Sequence, residues 1–191
     1  MTLPILSATE TRVLGVLIEK ERTVPDTYPL SLNALVAGCN QKTAREPVIN
    51  ATDAEVLTAV DGLKALSLVF EGSGSRVVRF EHNLARVYRV PGAAQALLAT
   101  LLLRGAQTSA ELRLHSERLY KFADISSVEG FLDELAVREP PLAVRLARAP
   151  GEREARWAHL LCGEVASAAV AGAGESVGGP AGVSAAELAA L

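Results

Sequence analysis

Cysteine and histidine side chains are the groups in this sequence that most directly suggest catalysis or metal binding. There are two cysteines and three histidines, namely Cys39, Cys162, His82, His115 and His159. The cysteines form no C-x-x-C motif and neither lies beside a pair of histidines, so neither a zinc site nor a disulfide framework is indicated. No phosphate-binding loop or nucleophile elbow is present. We therefore expect no catalytic residues, no metal and no cofactor, and we interpret Cys39 as a small buried hydrophobic residue.

Basic side chains are the other candidates for function, because lysine and arginine bind the phosphates of nucleic acids. They lie in a polar turn at residues 40–51 and in two predicted β-ribbons. The candidate contacts for a nucleic acid or a protein partner are Lys42, Arg45, Arg76, Arg79, Arg145, Arg148, Arg153 and Arg156. The alternative is a solvated surface, on which Arg153 and Arg156 form weak pairs with Glu152 and Glu154.

The distribution of charge argues against a dedicated nucleic-acid-binding protein. Residues 1–82 carry 8 Lys+Arg and 10 Asp+Glu, residues 83–162 carry 11 and 9, and residues 163–191 carry none and 3. The net charges of these segments are therefore −2, +2 and −3. Neither of the first two has the strong basic excess of a nucleic-acid-binding domain. Any contact with DNA is expected to depend on local patches.

Length and composition are those of a soluble protein with two small domains. With 191 residues, 49% of them hydrophobic and 21% charged, the chain has enough apolar material for two cores. No stretch of about 18 uninterrupted apolar residues is present, and the N-terminus lacks a basic region followed by an apolar one. We therefore expect a cytoplasmic protein that makes no contact with a membrane.

The stretch from Ser7 to His82 predicts three helices. Capping boxes at Ser7–Glu10 and Thr52–Glu55 predict the starts of the first and third, and a shorter second helix is expected over Leu30–Cys39. Each helix has an apolar stripe that should face the core. The stripes are Val13, Leu14, Leu17 and Ile18, then Leu32, Leu35 and Val36, then Val56, Val60, Leu63 and Leu66. Arg12, Glu19 and Arg22 fall outside the first stripe.

A β-hairpin is predicted after the third helix. Its signals are the run Leu68–Phe70, the turn Gly72-Ser73-Gly74-Ser75, and the alternating Val78 and Phe80. Three helices closed by a β-ribbon is the winged helix-turn-helix plan.

Residues 93–162 repeat this pattern in a shorter form. The leucine stripe that starts at Leu97 matches the stripe that starts at Val13 at an offset of 84, and Val128 matches Val56 at an offset of 72. The first copy therefore carries 12 extra residues between its first and third helices. A capping box at Thr108–Glu111 predicts a helix to about Leu119, and both Asp124 and Ser126 suit the cap of the next helix. The second ribbon is predicted from Leu142, Val144, Leu146 and Trp157 around Pro150-Gly151.

The predicted fold class is mainly α with small β-ribbons (α+β), arranged as two tandem winged helix-turn-helix domains. These are residues 5–82 and 93–162, joined by a linker at 83–92 and followed by a flexible Ala/Gly-rich tail at 163–191. A capping box at Ser184–Glu187 precedes Leu188 and Leu191, so a short terminal helix could dock on the rest of the chain. Alone, such a helix is too short to be stable in water.

The outer faces of the third helices disfavour the usual reading of bases in the major groove. In the first copy this face carries Glu55, Thr58, Asp61 and Gly62, with Lys64 as the basic residue. In the second copy it carries Glu129, Asp133 and Glu134. Carboxylates are repelled by the flanking phosphates, although an acid can accept from a cytosine amino group.

Four segments closely resemble the bacterial YceH family, a set of uncharacterised tandem winged-helix proteins. They are Tyr28-Pro29-Leu30-Ser31, Cys39-Asn40-Gln41-Lys42-Thr43-Ala44-Arg45-Glu46-Pro47-Val48, Leu101-Leu102-Leu103-Arg104-Gly105-Ala106-Gln107-Thr108 and Val144-Arg145-Leu146-Ala147-Arg148. The resemblance covers roughly residues 5–162 and implies two winged-helix domains in a cytoplasmic bacterial protein. It carries no established activity.

Two functions fit these observations. The first is a non-enzymatic adaptor that binds a protein partner or a second copy of the chain, an analogy at the level of fold alone. The second is a DNA-binding protein or regulator that contacts DNA non-specifically through its wings and the 40–51 turn. The acidic third helices favour the adaptor, and the eight basic residues favour the DNA-binding alternative.

Overall fold

The computed structural model describes residues 3–72 and 76–163, so the tail from Glu164 onward and the hairpin residues 73–75 lie outside the described residues. The first half contains α1 (Ala8–Thr23), β1 (Leu30–Ser31), α2 (Leu32–Cys39), α3 (Asp53–Ala65), β2 (Val69–Gly72) and β3 (Arg79–His82). The second half contains α4 (Leu84–Tyr88), α5 (Gly92–Arg104), α6 (Ser109–His115), α7 (Ile125–Val137), β4 (Ala143–Arg145) and β5 (Trp157–His159). None of these helices is both long and apolar enough to span a membrane.

Each half ends in a small antiparallel sheet. The first sheet has the strand order β1-β3-β2, and Phe80 of β3 lies opposite both Leu30 and Glu71. The second sheet pairs β4 with β5, and Trp157 of β5 also bridges Gln107 through backbone hydrogen bonds of 2.7 and 3.1 Å. The architecture is thus helical with small antiparallel sheets, which confirms the α+β part of the expected fold class.

Local side-chain caps determine where the helices begin. Three of the four predicted capping boxes, at Ser7–Glu10, Thr52–Glu55 and Thr108–Glu111, are formed, and the fourth, at Ser184–Glu187, lies outside the described residues. For α7, Asp124 is the cap, because its carboxylate accepts the backbone N–H of Ser127 at 2.8 Å. These bonds satisfy N–H groups that have no partner within the first turn of a helix.

The two halves share one continuous hydrophobic core. Helices α1 and α5 pack against each other, and Leu17 of α1 and Leu98 of α5 are both 0% exposed. Gly15 lies where the helices approach closely, since a Cβ atom at this position would be 2.8 Å from Cγ of Leu103. Because α1 packs against α5 as well as against its own half, it is buried on more than one side.

In the first half, two local patterns differ from the sequence-based expectation. Leu30 and Ser31, expected at the start of the second helix, form β1 instead because they pair with Phe80 and Arg79. Val78, expected to alternate within the hairpin, lies outside β3 and is 49% exposed.

In the second half, the segment predicted as a linker contains a helix, and the second predicted helix is shorter than expected. The segment 83–92 contains α4, whose Leu84 and Tyr88 are 0% and 5% exposed, so burial of these side chains orders it. Helix α6 ends at His115 rather than near Leu119. A turn follows, in which the N–H of Leu119 donates to the carbonyl of Ser116 at 2.8 Å.

Candidate interaction surfaces

The candidate basic residues differ in exposure to solvent. One is buried, two are half-buried and the others are exposed. Arg45 is buried, Arg79 and Arg156 are half-buried, and Lys42, Arg76, Arg145, Arg148 and Arg153 are exposed.

Arg45 belongs to an internal ion pair. Its side chain is 0% exposed, with Nη2 at 2.8 Å from Oε1 of Glu19, and its Nε donates to the Gly38 carbonyl at 3.0 Å. Burial alone would raise the pKa of Glu19, but hydrogen bonds from Arg45 and its positive charge outweigh burial and hold this pKa below its ordinary value. Enclosed in this way, and contrary to expectation, Arg45 is not accessible to DNA or to a protein partner.

Arg12 also lies inside, although it falls outside the predicted apolar stripe of α1. It is 4% exposed, and its guanidinium donates to the carbonyls of Cys39 at 2.8 Å and Pro47 at 2.5 Å. Since a buried guanidinium must have acceptors, Arg12 is stabilised by backbone carbonyls at the end of α2 and in the 40–51 turn. This turn is therefore attached to α1.

The 40–51 turn is closed at its base and fixed to the second half. The Asn40 side chain accepts from the N–H of Ala51 at 2.7 Å and donates to its carbonyl at 3.0 Å. The N–H of Glu46 donates to the carbonyl of Leu103 in α5 at 2.9 Å. Lys42 stays exposed on this fixed segment.

The arginines of the second ribbon are partly engaged with the protein itself. Arg156 forms ion pairs with Glu111 at 3.1 Å and with Glu152 at 3.7 Å. The guanidinium of Arg145 lies over the Trp157 ring, 5.8 Å from its centroid. The Arg156–Glu152 pair agrees with the solvated-surface alternative.

The two arginines of the first ribbon differ in their contacts with the rest of the protein. Arg79 donates to the carbonyl of Pro29 at 3.0 Å and so braces β3 against the segment before β1. Arg76 is exposed.

The outer faces of α3 and α7 are acidic, as expected. Asp61, Asp133 and Glu134 are exposed, and Glu129 is half-buried. Lys64, the basic residue on α3, is paired with Glu71 of β2 at 3.0 Å. Neither helix therefore presents an unpaired cation on this face.

A groove with an apolar floor and charged side chains at its rim lies between α6 and the start of α7. We call it the α6–α7 groove. Its volume is about 270 Å³, and it is lined by Ala110, Arg113, Leu114, Glu117, Lys121, Phe122 and Ile125.

Large hydrophobic side chains on this groove are open to solvent. Leu114 is 67% exposed and Ile125 40%, whereas Phe122 is 4% exposed and forms the floor. Phe122 is held from below by Phe131, with ring centroids 6.0 Å apart. At the rim, Lys121 lies 3.8 Å from Glu117. The sequence offered a signal for this surface, because Leu114 is two residues from the buried Leu112 and cannot share its helix face.

His159 and Cys162 line a second cavity of about 240 Å³ between α1, the 40–51 turn and α5. Their separation of three residues in the sequence is a signal for this proximity, although it matches no C-x-x-C or paired-histidine motif. Burial lowers the pKa of His159 to about 4, and desolvation by surrounding atoms raises the pKa of the Cys162 thiol. A nucleophilic thiol needs the opposite shifts, since the thiolate is the reactive form.

The other two histidines are hydrogen-bonded to neighbouring side chains, and the remaining cysteine is buried. His82 lies 2.7 Å from Glu21, and His115 lies 2.6 Å from Gln107. Cys39 is 0% exposed, which confirms its interpretation as a buried hydrophobic residue. In the part of the chain that the structure describes, no three His, Cys, Asp or Glu side chains are arranged to hold a metal ion.

Comparison with known proteins identifies the family. A family model described as "Protein of unknown function, DUF480" matches residues 6–152. A UPF0502 protein of Leptothrix cholodnii is 70% identical over 176 residues, covering 92% of this chain and 77% of the relative. UPF0502 proteins of Burkholderia multivorans and Burkholderia pseudomallei are 71% and 72% identical, covering 88% and 84% of this chain and 72% and 69% of the relatives. The expected membership of an uncharacterised, YceH-like bacterial family is confirmed, and the chain belongs to the DUF480 family.

Proposed function

We propose that this chain is a cytoplasmic, non-enzymatic interaction module made of two tandem winged-helix domains, residues 5–82 and 93–162. The order of elements supports this arrangement, since α1, α2 and α3 precede the ribbon of β2 and β3, and α5, α6 and α7 precede the ribbon of β4 and β5. A third chain segment also pairs with the ribbon in each half: β1 pairs with β3, and Gln107 bridges Trp157. In this proposal the 83–92 linker includes α4.

The α6–α7 groove is the observation that carries the proposal. In a DNA-binding winged helix, this part of the helix-turn-helix approaches the sugar-phosphate backbone and presents hydrogen-bond donors to it. Here it presents Leu114, 67% exposed, and Ile125, 40% exposed. Burying one such side chain against a partner contributes about 1.5–3 kcal/mol. A solvent-exposed apolar cluster with a charged rim is typical of a protein interface.

A matched pair of variants tests the proposal. The tagged protein, its Leu114→Ser variant and its Val137→Ser variant are used to capture partners from bacterial lysate treated with nuclease. Val137 is 80% exposed at the end of α7, outside the groove lining, so it controls for loss of any exposed hydrophobic side chain. We expect a protein that is captured by the wild type and by Val137→Ser but not by Leu114→Ser. Capture unchanged by Leu114→Ser, or abolished by nuclease, would contradict the proposal.

Non-specific DNA binding is the second candidate function. It is favoured by the exposure of Lys42, Arg76, Arg148 and Arg153, which lie on the 40–51 turn and the ribbons rather than on α3 or α7. Contacts from such positions reach phosphates or the minor groove and do not specify sequence.

Salt-dependent binding to two unrelated duplexes tests this second candidate. Changing Arg145 and Arg148 together to alanine should weaken binding equally on both duplexes and reduce the log–log salt slope by up to about two units. Asp61→Ala and Asp133→Ala should leave binding intact or strengthen it, because each removes a repulsive charge. If the wild type fails to bind even at low salt, where screening is weakest, this candidate function is excluded.

A further inference from the structure

The α6–α7 groove exposes apolar surface that the described residues leave uncovered. Leu114 and Ile125 stand above the buried Phe122 on a cavity of about 270 Å³. Covering these side chains would remove apolar area from water, which is favourable in proportion to that area. A ligand for the groove therefore needs apolar side chains on one short face.

The chain itself carries a segment of this kind, at residues 183–191. Ser184 and Glu187 have the spacing of a capping box, and Val183 and Leu188 have the spacing of a hydrophobic staple, so a helix start is encoded twice over. Leu188 and Leu191 are three residues apart and share one helix face. Because so short a helix is unstable by itself in water, it needs a surface on which to form.

The connection between this segment and Gly163 is long enough to reach the groove. Leu188 follows Gly163 by 25 residues. An Ala/Gly-rich chain of this length has a root-mean-square span of roughly 28 Å. A folded unit of about 160 residues has a radius of gyration of roughly 15 Å. Fully extended, 25 residues reach roughly 80 Å, about twice the diameter of such a unit, so the connection is long enough for the segment to reach the groove.

Charge favours the same pairing. Residues 163–191 carry three glutamates and no lysine or arginine, whereas residues 83–162 carry 11 basic and 9 acidic side chains. At the groove rim, Arg113 and Lys121 provide two cations against the one carboxylate of Glu117. Opposite charge steers an encounter and selects against like-charged partners.

We propose that residues 183–191 dock as a short helix in the α6–α7 groove of the same chain, with Leu188 and Leu191 against Leu114 and Ile125. The tether places this segment at millimolar effective concentration, so a weak contact is sufficient. The proposal rests on the proposed function in that it concerns the same surface, for which a protein partner and the segment would compete.

Methyl NMR spectra of the full chain test the docking. In the variant Leu188→Ala with Leu191→Ala, the methyl resonances of Leu114 and Ile125 should shift, while those of the buried Leu17 stay in place. The matched control is Val165→Ala with Val170→Ala, which removes apolar side chains from the same tail outside the helix signature. It should leave the groove resonances unchanged. Conversely, Leu114→Ser should move the backbone amide resonance of Leu191 to its random-coil chemical shift.

Three results would overturn the docking proposal. The first is that the methyl resonances of the groove are the same in the leucine variant and in the wild type. The second is that the valine control shifts these resonances as much as the leucine variant does. The third is that the shifts grow with protein concentration. The last would mean that a second copy supplies the segment. If the docking proposal fails, capture of a partner from lysate can still depend on Leu114. If the proposed function fails, the groove resonances can still respond to the leucine variant. The two failures are therefore distinguishable.

Discussion

Arg45 and Glu19 form an ion pair that is almost completely removed from solvent. The Arg45 side chain is 0% exposed and that of Glu19 is 13% exposed. The pair connects the 40–51 turn with α1, and Arg45 also donates to the backbone of Gly38. Removing one member of such a pair leaves a charge in a poorly solvated position, which costs more than the pair contributes when intact.

Replacing Arg45 by alanine should lower the free energy of unfolding by about 3 kcal/mol. We expect this value at the lower end of the range for buried pairs, because Glu19 keeps Lys20 at 3.2 Å. The measurement is urea unfolding, with Lys42→Ala as the control, since Lys42 is exposed on the same turn. The control should change stability by less than about 0.5 kcal/mol. Equal effects of the two changes would show that Arg45 is solvated.

His159 should make stability depend on pH in the mildly acidic range. Burial lowers its pKa from 6.5 to about 4, so between these values the unfolded chain binds more protons than the folded one. Stability should therefore fall as pH falls from about 6.5 to 4, by up to about 3 kcal/mol from this residue. The variant His159→Asn should flatten this part of the profile measured by chemical unfolding. The same change at the less buried His115 should flatten it less, and equal effects would contradict the assignment.

At the level of elements, the contact between α1 and α5 depends on a small residue. A Cβ on Gly15 would lie 2.8 Å from Cγ of Leu103 and 3.2 Å from Cβ of Leu102. Such distances are shorter than carbon–carbon contacts in packed interiors. Glycine in a helix is otherwise unfavourable, so close approach of the helices is the physical reason for this residue.

Alanine should therefore have opposite effects at two helical glycines. Gly15→Ala should destabilise the protein by about 1–3 kcal/mol through overpacking. Gly130→Ala should stabilise it by about 0.5–1 kcal/mol, because Gly130 in α7 has open space around its Cβ position and alanine is the better helix former. Thermal unfolding of the two variants measures both. Stabilisation by both changes would mean that α1 and α5 are less closely packed than described.

At the scale of the whole molecule, the two halves share one hydrophobic core. Helix α1 packs against α5, and Arg12 and Glu46 hold the 40–51 turn between α1 and the end of α5. The 40–51 turn thus connects the first half with the second. The halves are therefore expected to unfold together.

Calorimetry should show a single unfolding transition with equal calorimetric and van't Hoff enthalpies. Leu17→Ala in the first half and Leu132→Ala in the second remove side chains that are 0% exposed, so each should cost about 2–5 kcal/mol. Both should shift the same transition to lower temperature. Two separate transitions, each sensitive to only one of these changes, would show that the halves are independent.

The sequence by itself determined the features that depend on neighbouring residues. Capping boxes such as Ser7–Glu10 predicted helix starts correctly, because the side chain and the backbone groups that it caps lie within four residues. Apolar spacing predicted the buried stripes of α1, α3 and α5 for a similar reason, since helical periodicity fixes which residues share a face. The acidic outer faces of α3 and α7 were likewise evident from spacing, as Asp61 and Asp133 illustrate.

Only the tertiary structure decided which charged and apolar side chains remain available for binding. Arg45 and Arg12 are basic residues in polar surroundings in the sequence, yet both are buried because Glu19 and distant backbone carbonyls meet them in the fold. Leu30 becomes a strand residue because β3 lies beside it, and Leu114 is exposed because the described part of the chain places no element over it. Accessibility depends on which distant segments pack together, and local sequence does not encode that.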